Sequence, residues 1–154
     1  RQYKSYLENI MAEKYVDPTR DAFRTFRSLT SESEIHMLNL IRLRHSALYP
    51  EGHERHGQVV SSEEAYLAYG EESRPILKLV GGSIVYSANF EFVLIGPESE
   101  HWDIVFIAQY PSTDAFVSMV KNPDYQKAVV HRKAAVCTSR LIRLSPKKAS
   151  DLFG

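Results

Sequence analysis

Two stretches of this chain are apolar on both sides, and that restricts its fold more than any other feature. In residues 35–44, Met37 and Ile41 alternate with Leu38 and Leu40; in residues 102–110, Val105 and Ile107 alternate with Ile104, Phe106 and Ala108. Strand side chains point alternately to opposite faces, so each stretch presents apolar groups to both faces of a sheet. An antiparallel sheet with one face in water shows a polar residue at every second position instead. Both faces of this sheet therefore need cover.

The remaining elements cover one of them. Ser61 and Glu64 form an S-x-x-E capping box that opens a helix running towards Gly81-Gly82. Pro75 inside it is expected to kink or divide the helix. Residues 83–95 read as a β-like run, interrupted near Ser87-Ala88-Asn89. Ser112-Thr113-Asp114 caps a further helix with Ala115, Phe116, Met119 and Val120 on one side, and Asn122-Pro123-Asp124 restarts it. Residues 139–144 make the last strand. After residue 34 the order is β-α-β-β-α-β, an α+β ferredoxin-like arrangement of an antiparallel four-stranded sheet with two helices on one face.

Residues 1–34 read as an N-terminal helical arm. Tyr3, Tyr6, Leu7, Ile10 and Met11 form one stripe, and a second helix starts at Asp17-Pro18 with Ala22, Phe23, Phe26 and Leu29 on its apolar side. The expected organisation is an arm (1–34), a ferredoxin-like domain (35–146) and a polar tail (147–154). The open sheet face is covered by the arm's helices or by the same face of a second copy. A face-to-face homodimer, with the arm helping to close it, is the expectation, because a bare apolar face of that size invites aggregation.

Composition narrows the partners. The chain has 154 residues, 19 Lys+Arg against 19 Asp+Glu, and 44% hydrophobic residues. That describes a folded globular chain with no basic excess, so neither nucleic acid nor a membrane surface is an expected partner. The single cysteine, Cys137, excludes an internal disulfide framework and fits a reducing, cytoplasmic setting. Walker A, GxGxxG, HExxH, GxSxG and CxxC motifs are absent, which disfavours kinase, Rossmann dehydrogenase, zincin and α/β-hydrolase chemistry. No cofactor is called for.

The segments HMLNLIRLR (36–44), EAYLAYGEESRPILKLVGGSIVY (64–86), WDIVFIAQYPS (102–112) and NPDYQKAVVHRKAAV (122–136) resemble the domain-of-unknown-function family 1330. The similarity runs over roughly residues 36–145; the Trp102-Asp103 strand start and the Asn122-Pro123-x-Tyr125 helix with His131-Arg132 are its most specific parts. That family sits in the dimeric α/β-barrel group, beside small cofactor-free monooxygenases, muconolactone isomerase-like enzymes and haem-dependent relatives. The resemblance implies a ferredoxin-like fold dimerised through the sheet. It implies no activity, and an oxygenase label inherited from the wider group would be analogy from fold alone.

Several side chains are candidates for chemistry. Asn39 is a polar amide on the Met37–Ile41 side of the first strand; it orients a substrate carbonyl, or it is a structural amide satisfied by a loop or a dimer partner. His131 is the side chain best poised near neutral pH and serves as acid or base; Arg132 can grip a carboxylate with two parallel hydrogen bonds. The competing explanation is that cations simply suit the C-terminal end of a helix. Tyr66 and Tyr69 share a helical face, while Tyr86 and Trp102 start or line strands, and all four are possible walls of a ligand pocket or ordinary core. His45, His53 and His56 crowd a polar loop with Glu51 and Glu54, but no helix or strand there fixes metal geometry, so no metal site is expected. Cys137 reads as a small buried hydrophobe.

Two functions follow. One is an enzyme acting without a cofactor on a small, partly aromatic or carboxylate-bearing molecule by proton transfer or isomerisation, with His131 and Asn39 catalytic and Arg132, Tyr66, Tyr69, Tyr86 and Trp102 binding ligand. The other is a non-catalytic ligand-binding or assembly module.

Overall fold

A computed structural model describes residues 15–150. In chain order its elements are α1 (Arg20–Ser28), β1 (Ile35–Leu43), α2 (Ser62–Leu79), β2 (Ser83–Ala88), β3 (Ile104–Tyr110), α3 (Thr113–Lys121), α4 (Pro123–Ala135) and β4 (Val136–Leu144). The strands form one antiparallel sheet in the order β2-β3-β1-β4. This is the ferredoxin-like α+β arrangement read from the sequence.

Burial follows the strand period. Along β1, Ile35, Met37, Asn39 and Ile41 are buried, while His36, Leu38, Leu40 and Arg42 are half-exposed. The odd-numbered set faces the helices. There Ile35 pairs with Tyr110, Met37 with Ala108 and Ile41 with Ile104. Ile35, Met37, Ile76, Ala108, Tyr110, Phe116, Met119 and Tyr125 form one core between sheet and helices. The even-numbered set opens outward with Ile107 and Val105 of β3 and with Ile142, Arg140 and Leu144 of β4. Tyr86 of β2 joins that outer face through its pairing with Ile107.

Helix starts match their caps. The Ser61 hydroxyl accepts from the Glu64 N–H at 3.1 Å, the Ser112 hydroxyl from the Ala115 N–H at 3.1 Å, and the Asn122 side-chain Oδ1 from the Asp124 N–H at 2.8 Å. Several expected boundaries move. α2 continues unbroken through Pro75; the carbonyl that proline leaves free belongs to the exposed Glu71, where water can satisfy it. α1 starts at Arg20 rather than at Asp17-Pro18, because Thr19 is the residue whose hydroxyl caps it, accepting from Ala22 N–H at 3.0 Å. β2 ends at Ala88 instead of running on to residue 95. β3 begins at Ile104 rather than Trp102, because Asp103 turns the chain there, its N–H donating to Ile41 O at 2.7 Å and its carboxylate accepting from Leu43 N–H at 2.7 Å. β4 starts at Val136, directly after α4, and not at residue 139.

The second helix of the N-terminal arm does not lie over the open sheet face. α1 packs on the helix side, with Phe26 against Phe116 at 4.9 Å between ring centroids and its backbone tied to Arg143 and Thr113. The stripe of Tyr3, Tyr6, Leu7, Ile10 and Met11 falls outside the described residues. Among the described residues, no helix is long and apolar enough to cross a membrane.

Ile41 is fully buried where β1 meets both neighbours. Ile41→Ala is expected to lower stability by about 2–5 kcal/mol, read as a lower urea midpoint at an unchanged m-value. A loss near zero would mean that the centre of the sheet is not where the core is tightest.

Candidate functional site

The loop between β1 and α2 builds the site. Its first residues add to the junction of α4 and β4, with Arg44 N–H donating to Ala135 O at 2.8 Å and Leu48 N–H to Ala134 O at 2.9 Å. Ala47 N–H then bonds Val60 O at 2.9 Å and closes the loop's neck. Beyond Pro50 the chain folds as successive tight turns, and Gly52 and Gly57 take positive φ of 85° and 74° that a side chain would oppose. This architecture drives Tyr49 inward, into a cluster with Ala47, Val60, Ala65, Ala134 and Ala135.

There Tyr49 meets His131. The Tyr49 hydroxyl lies 2.7 Å from His131 Nδ1, and Glu72 Oε1 lies 3.2 Å from His131 Nε2. In the neutral imidazole, Nε2–H donates to the Glu72 carboxylate, which can only accept, and Nδ1 accepts from the Tyr49 hydroxyl. Arg55 Nη1 approaches the same hydroxyl oxygen at 3.4 Å. The His53 ring stacks on Tyr49 at 4.5 Å and stands edge-on to His131 at 5.7 Å. His131 and Tyr49 are only 6% and 7% exposed, whereas the Glu72 side chain is 50% exposed. The chain Arg55–Tyr49–His131–Glu72 is thus closed to water at its two middle members and meets solvent at its ends, most at the Glu72 carboxylate and partly at Arg55. Such a carboxylate–imidazole–hydroxyl series fixes the imidazole tautomer, as relays that move protons require.

Glu72 lines an open groove of about 640 Å³ between α2 and the start of α4, with Pro75, Ile76 and Leu79 as apolar wall and Asn122, Asp124 and Lys127 opposite. A second open groove, of about 570 Å³, lies at the end of β1 and includes Arg42, His45, Glu63, His101, Asp103 and Cys137. Neither is lined by Asn39, whose Nδ2 donates to Met37 O at 3.0 Å.

Tyr66 and Tyr69 do meet, at 5.4 Å, and two further tyrosines join them under the sheet. The Tyr69 and Tyr125 hydroxyls are 3.0 Å apart, and Tyr110 donates to Met119 Sδ. Removal from water raises the Tyr66, Tyr110 and Tyr125 phenols far above their ordinary range, and the neighbouring Tyr69 adds to it; Arg132 pulls in the opposite direction on Tyr66 and Tyr125. Arg132 itself donates to Val16 O at 2.6 Å and to Ser139 Oγ at 3.1 Å, anchoring the N-terminal segment against β4. Tyr86 is 56% exposed on the outer sheet face, and Trp102 is buried beneath the Arg140 guanidinium at 5.5 Å. Those two residues stand apart from the tyrosine cluster and from His131. His53 and His56 are engaged within the loop, His53 Nδ1 accepting from Arg55 N–H and His56 Nδ1 facing Tyr49 O. Among the described residues, no three His, Cys, Asp or Glu side chains are placed to hold a metal.

Sequence reasoning missed Tyr49, Arg55 and Glu72. Glu72 did carry a signal, since it stands three residues after Tyr69 and four before Ile76, on the inward edge of α2. Tyr49 and Arg55 carried none, because their positions depend on turn geometry.

The tyrosines make a measurable prediction. Their folded-state pKa values lie above the unfolded value of about 10, so the stabilisation from neutral phenols is complete below that pH and falls as pH rises beyond it. Absorbance at 295 nm during alkaline titration should leave three of the nine tyrosines protonated until the protein unfolds. Smooth titration of all nine in the folded state would contradict the buried cluster.

A family model described as a domain of unknown function, DUF1330, matches residues 57–143. The crystal structure of the methylated RPA0582 protein is 51% identical, covers 88% of this chain and 96% of its own, and superposes with a TM-score of 0.82. A second structure, of the RPA0582 protein of unknown function from Rhodopseudomonas palustris, is 51% identical over 87% of this chain and 98% of its own, with a TM-score of 0.81. SnoaB from Streptomyces nogalater, a cofactor-independent oxygenase, is 14% identical over 76% of this chain and 96% of its own at a TM-score of 0.49, too remote to bear on activity. A search of curated proteins gave no match. With more than half of its residues under that model, and the helix bearing His131 and Arg132 within the matched span, the chain belongs to the DUF1330 family.

Proposed function

We propose that this protein is a cofactor-independent enzyme that moves a proton on a small carboxylate-bearing molecule, an isomerisation or tautomerisation with no net redox change. The observation that carries this reading is the Glu72–His131–Tyr49 chain, closed to water at His131 and Tyr49 and open at Glu72 onto an apolar-walled groove. The Glu72 carboxylate takes a proton from a carbon beside a carbonyl; the resulting Glu72 acid, half open to solvent, trades that proton with water and returns one to a different atom of the enolate. His131 is a positioning residue, holding Oε1 through Nε2–H so that the other carboxylate oxygen faces the groove; Tyr49 and Arg55 hold the imidazole. Lys127, one helical turn before His131, supplies the cation for the substrate carboxylate, and Pro75, Ile76 and Leu79 receive its apolar part. Arg132 and Asn39, committed to backbone and strand partners, are left out of this reading.

A panel of small oxo-acids in deuterated buffer, followed by proton NMR, tests it. Exchange of the proton beside the carbonyl is expected with the native protein and should fall by about 10²–10⁴-fold in Glu72→Gln. Tyr49→Phe should retain part of the rate and shift its pH profile, because the imidazole loses its hydroxyl donor. Exchange that is indifferent to Glu72→Gln, or absent throughout the panel, would leave the assembly reading in its place.

The outer sheet face supports assembly in its own right. Leu38, Leu40, Val105 and Ile107 line its centre, with Ile142 41% and Leu144 39% exposed at its β4 side. We infer a homodimer through this face, forming the α/β barrel by sheet-to-sheet packing. Light scattering at micromolar concentration should give twice the 17.6 kDa chain mass, and a chain-mass particle would sink the homodimer.

A further inference from the structure

The connection between β2 and β3, residues 89–103, is tied down at its base and bare at its tip. At the base, Phe90 stands edge-on to His101 at 5.1 Å, His101 Nε2 lies 2.9 Å from Asp103 Oδ1, and Trp102 is buried under Arg140. At the tip, Glu100 N–H donates to Pro97 O at 3.1 Å. A Cβ on Gly96 would stand 2.7 Å from Val93 Cγ1, so any side chain there would have to displace Val93. The loop is thus a built structure. Yet Phe92, Leu94 and Ile95 are 77%, 85% and 94% exposed. Three large apolar side chains within four residues, displayed by a closed turn, mark an interaction surface rather than scattered surface apolarity.

The charges around the tip say what it meets. Glu91, Glu98 and Glu100 flank it and all are exposed. The outer sheet face has the opposite character. Its strand residues include Arg42 and the exposed Arg140 around an apolar centre and no Asp or Glu; His36 is engaged by Glu34 at 3.1 Å, and Arg140 is held over the Tyr15 and Trp102 rings with one nitrogen on Ser139 O. An acidic rim disfavours an anionic lipid surface and complements that sheet face.

We propose that the loop is a dimerisation arm, with Phe92, Leu94 and Ile95 of each protomer seated at the β4 side of a second copy's outer face, beside the sheet-to-sheet contact, and Glu98 and Glu100 directed to the partner's Arg140. A two-fold axis makes both arms engage at once, each covering the apolar surface the other leaves bare. This rests on the homodimer reading above and specifies the contact that holds it.

Sedimentation equilibrium on the full chain tests the arm. The combined variant Phe92→Ser, Leu94→Ser, Ile95→Ser should weaken dimerisation by about 100-fold or more, with circular dichroism unchanged because those side chains touch little within the protomer. Glu98→Lys with Glu100→Lys should weaken it by about tenfold, and adding Arg140→Glu should restore it, which only a second copy of this chain can do. A native protein that is monomeric overturns both the homodimer and the arm. A serine variant that dimerises as tightly as the native chain overturns the arm alone, leaving the sheet-to-sheet dimer standing. Failure of Arg140→Glu to restore the charge-reversed variant overturns the pairing with Arg140. Co-sedimentation of the native protein with phosphatidylcholine vesicles would assign the tip to lipid and overturn the arm.

Discussion

The described fold is arranged around β1, a central strand of a sheet whose helices pack on one face. It pairs with β3 along one edge and with β4 along the other, so its alternation fixes which side chains of all the central strands point inward. Once Ile35, Met37 and Ile41 are committed to the helices, Leu38 and Leu40 are committed to the opposite face. A one-residue slip would exchange those sets and expose the core. The same constraint that sets the core between sheet and helices leaves a second apolar surface that none of the described helices covers.

α1 sharpens that point. Its aromatic stripe could in principle have lain on either face of the sheet. Phe26 packs on Phe116 and its carbonyl accepts from Arg143, both on the helix side, so this helix enlarges a core that was already covered. α1 leaves the outer face uncovered, and in the proposed dimer a second copy with the apolar tip of its β2–β3 loop is the complementary piece.

Legibility followed the range of the interactions. Caps and strand alternation are local, and Ser61, Ser112, Asn122 and the β1 and β3 patterns led directly to the elements they specify. The β2 boundary was not legible, because residues 89–95 have strand-like composition and lack only a pairing partner, which is a property of β3 and not of the segment itself. Pro75 does not divide α2 for a related reason, since a capped helix packed on α4 tolerates one missing donor whose acceptor lies at the surface. In the candidate site, His131 was recognisable as a titratable group. Its partners were not, because Tyr49 is 82 residues away and Glu72 is 59 away, joined only by loop turns and helix pairing.

The direct passage from α4 into β4 has a mechanical meaning. Ala135 ends the helix and Val136 begins the strand, with no loop between them to absorb strain. Four positions before that junction stands His131, held by Tyr49 and Glu72 at its two nitrogens. Beside it Arg132 grips Ser139 three residues into the strand. Helix end and strand edge are thus joined with no linker, and the path from the edge strand to the imidazole is only a few residues of backbone and one Arg132–Ser139 hydrogen bond.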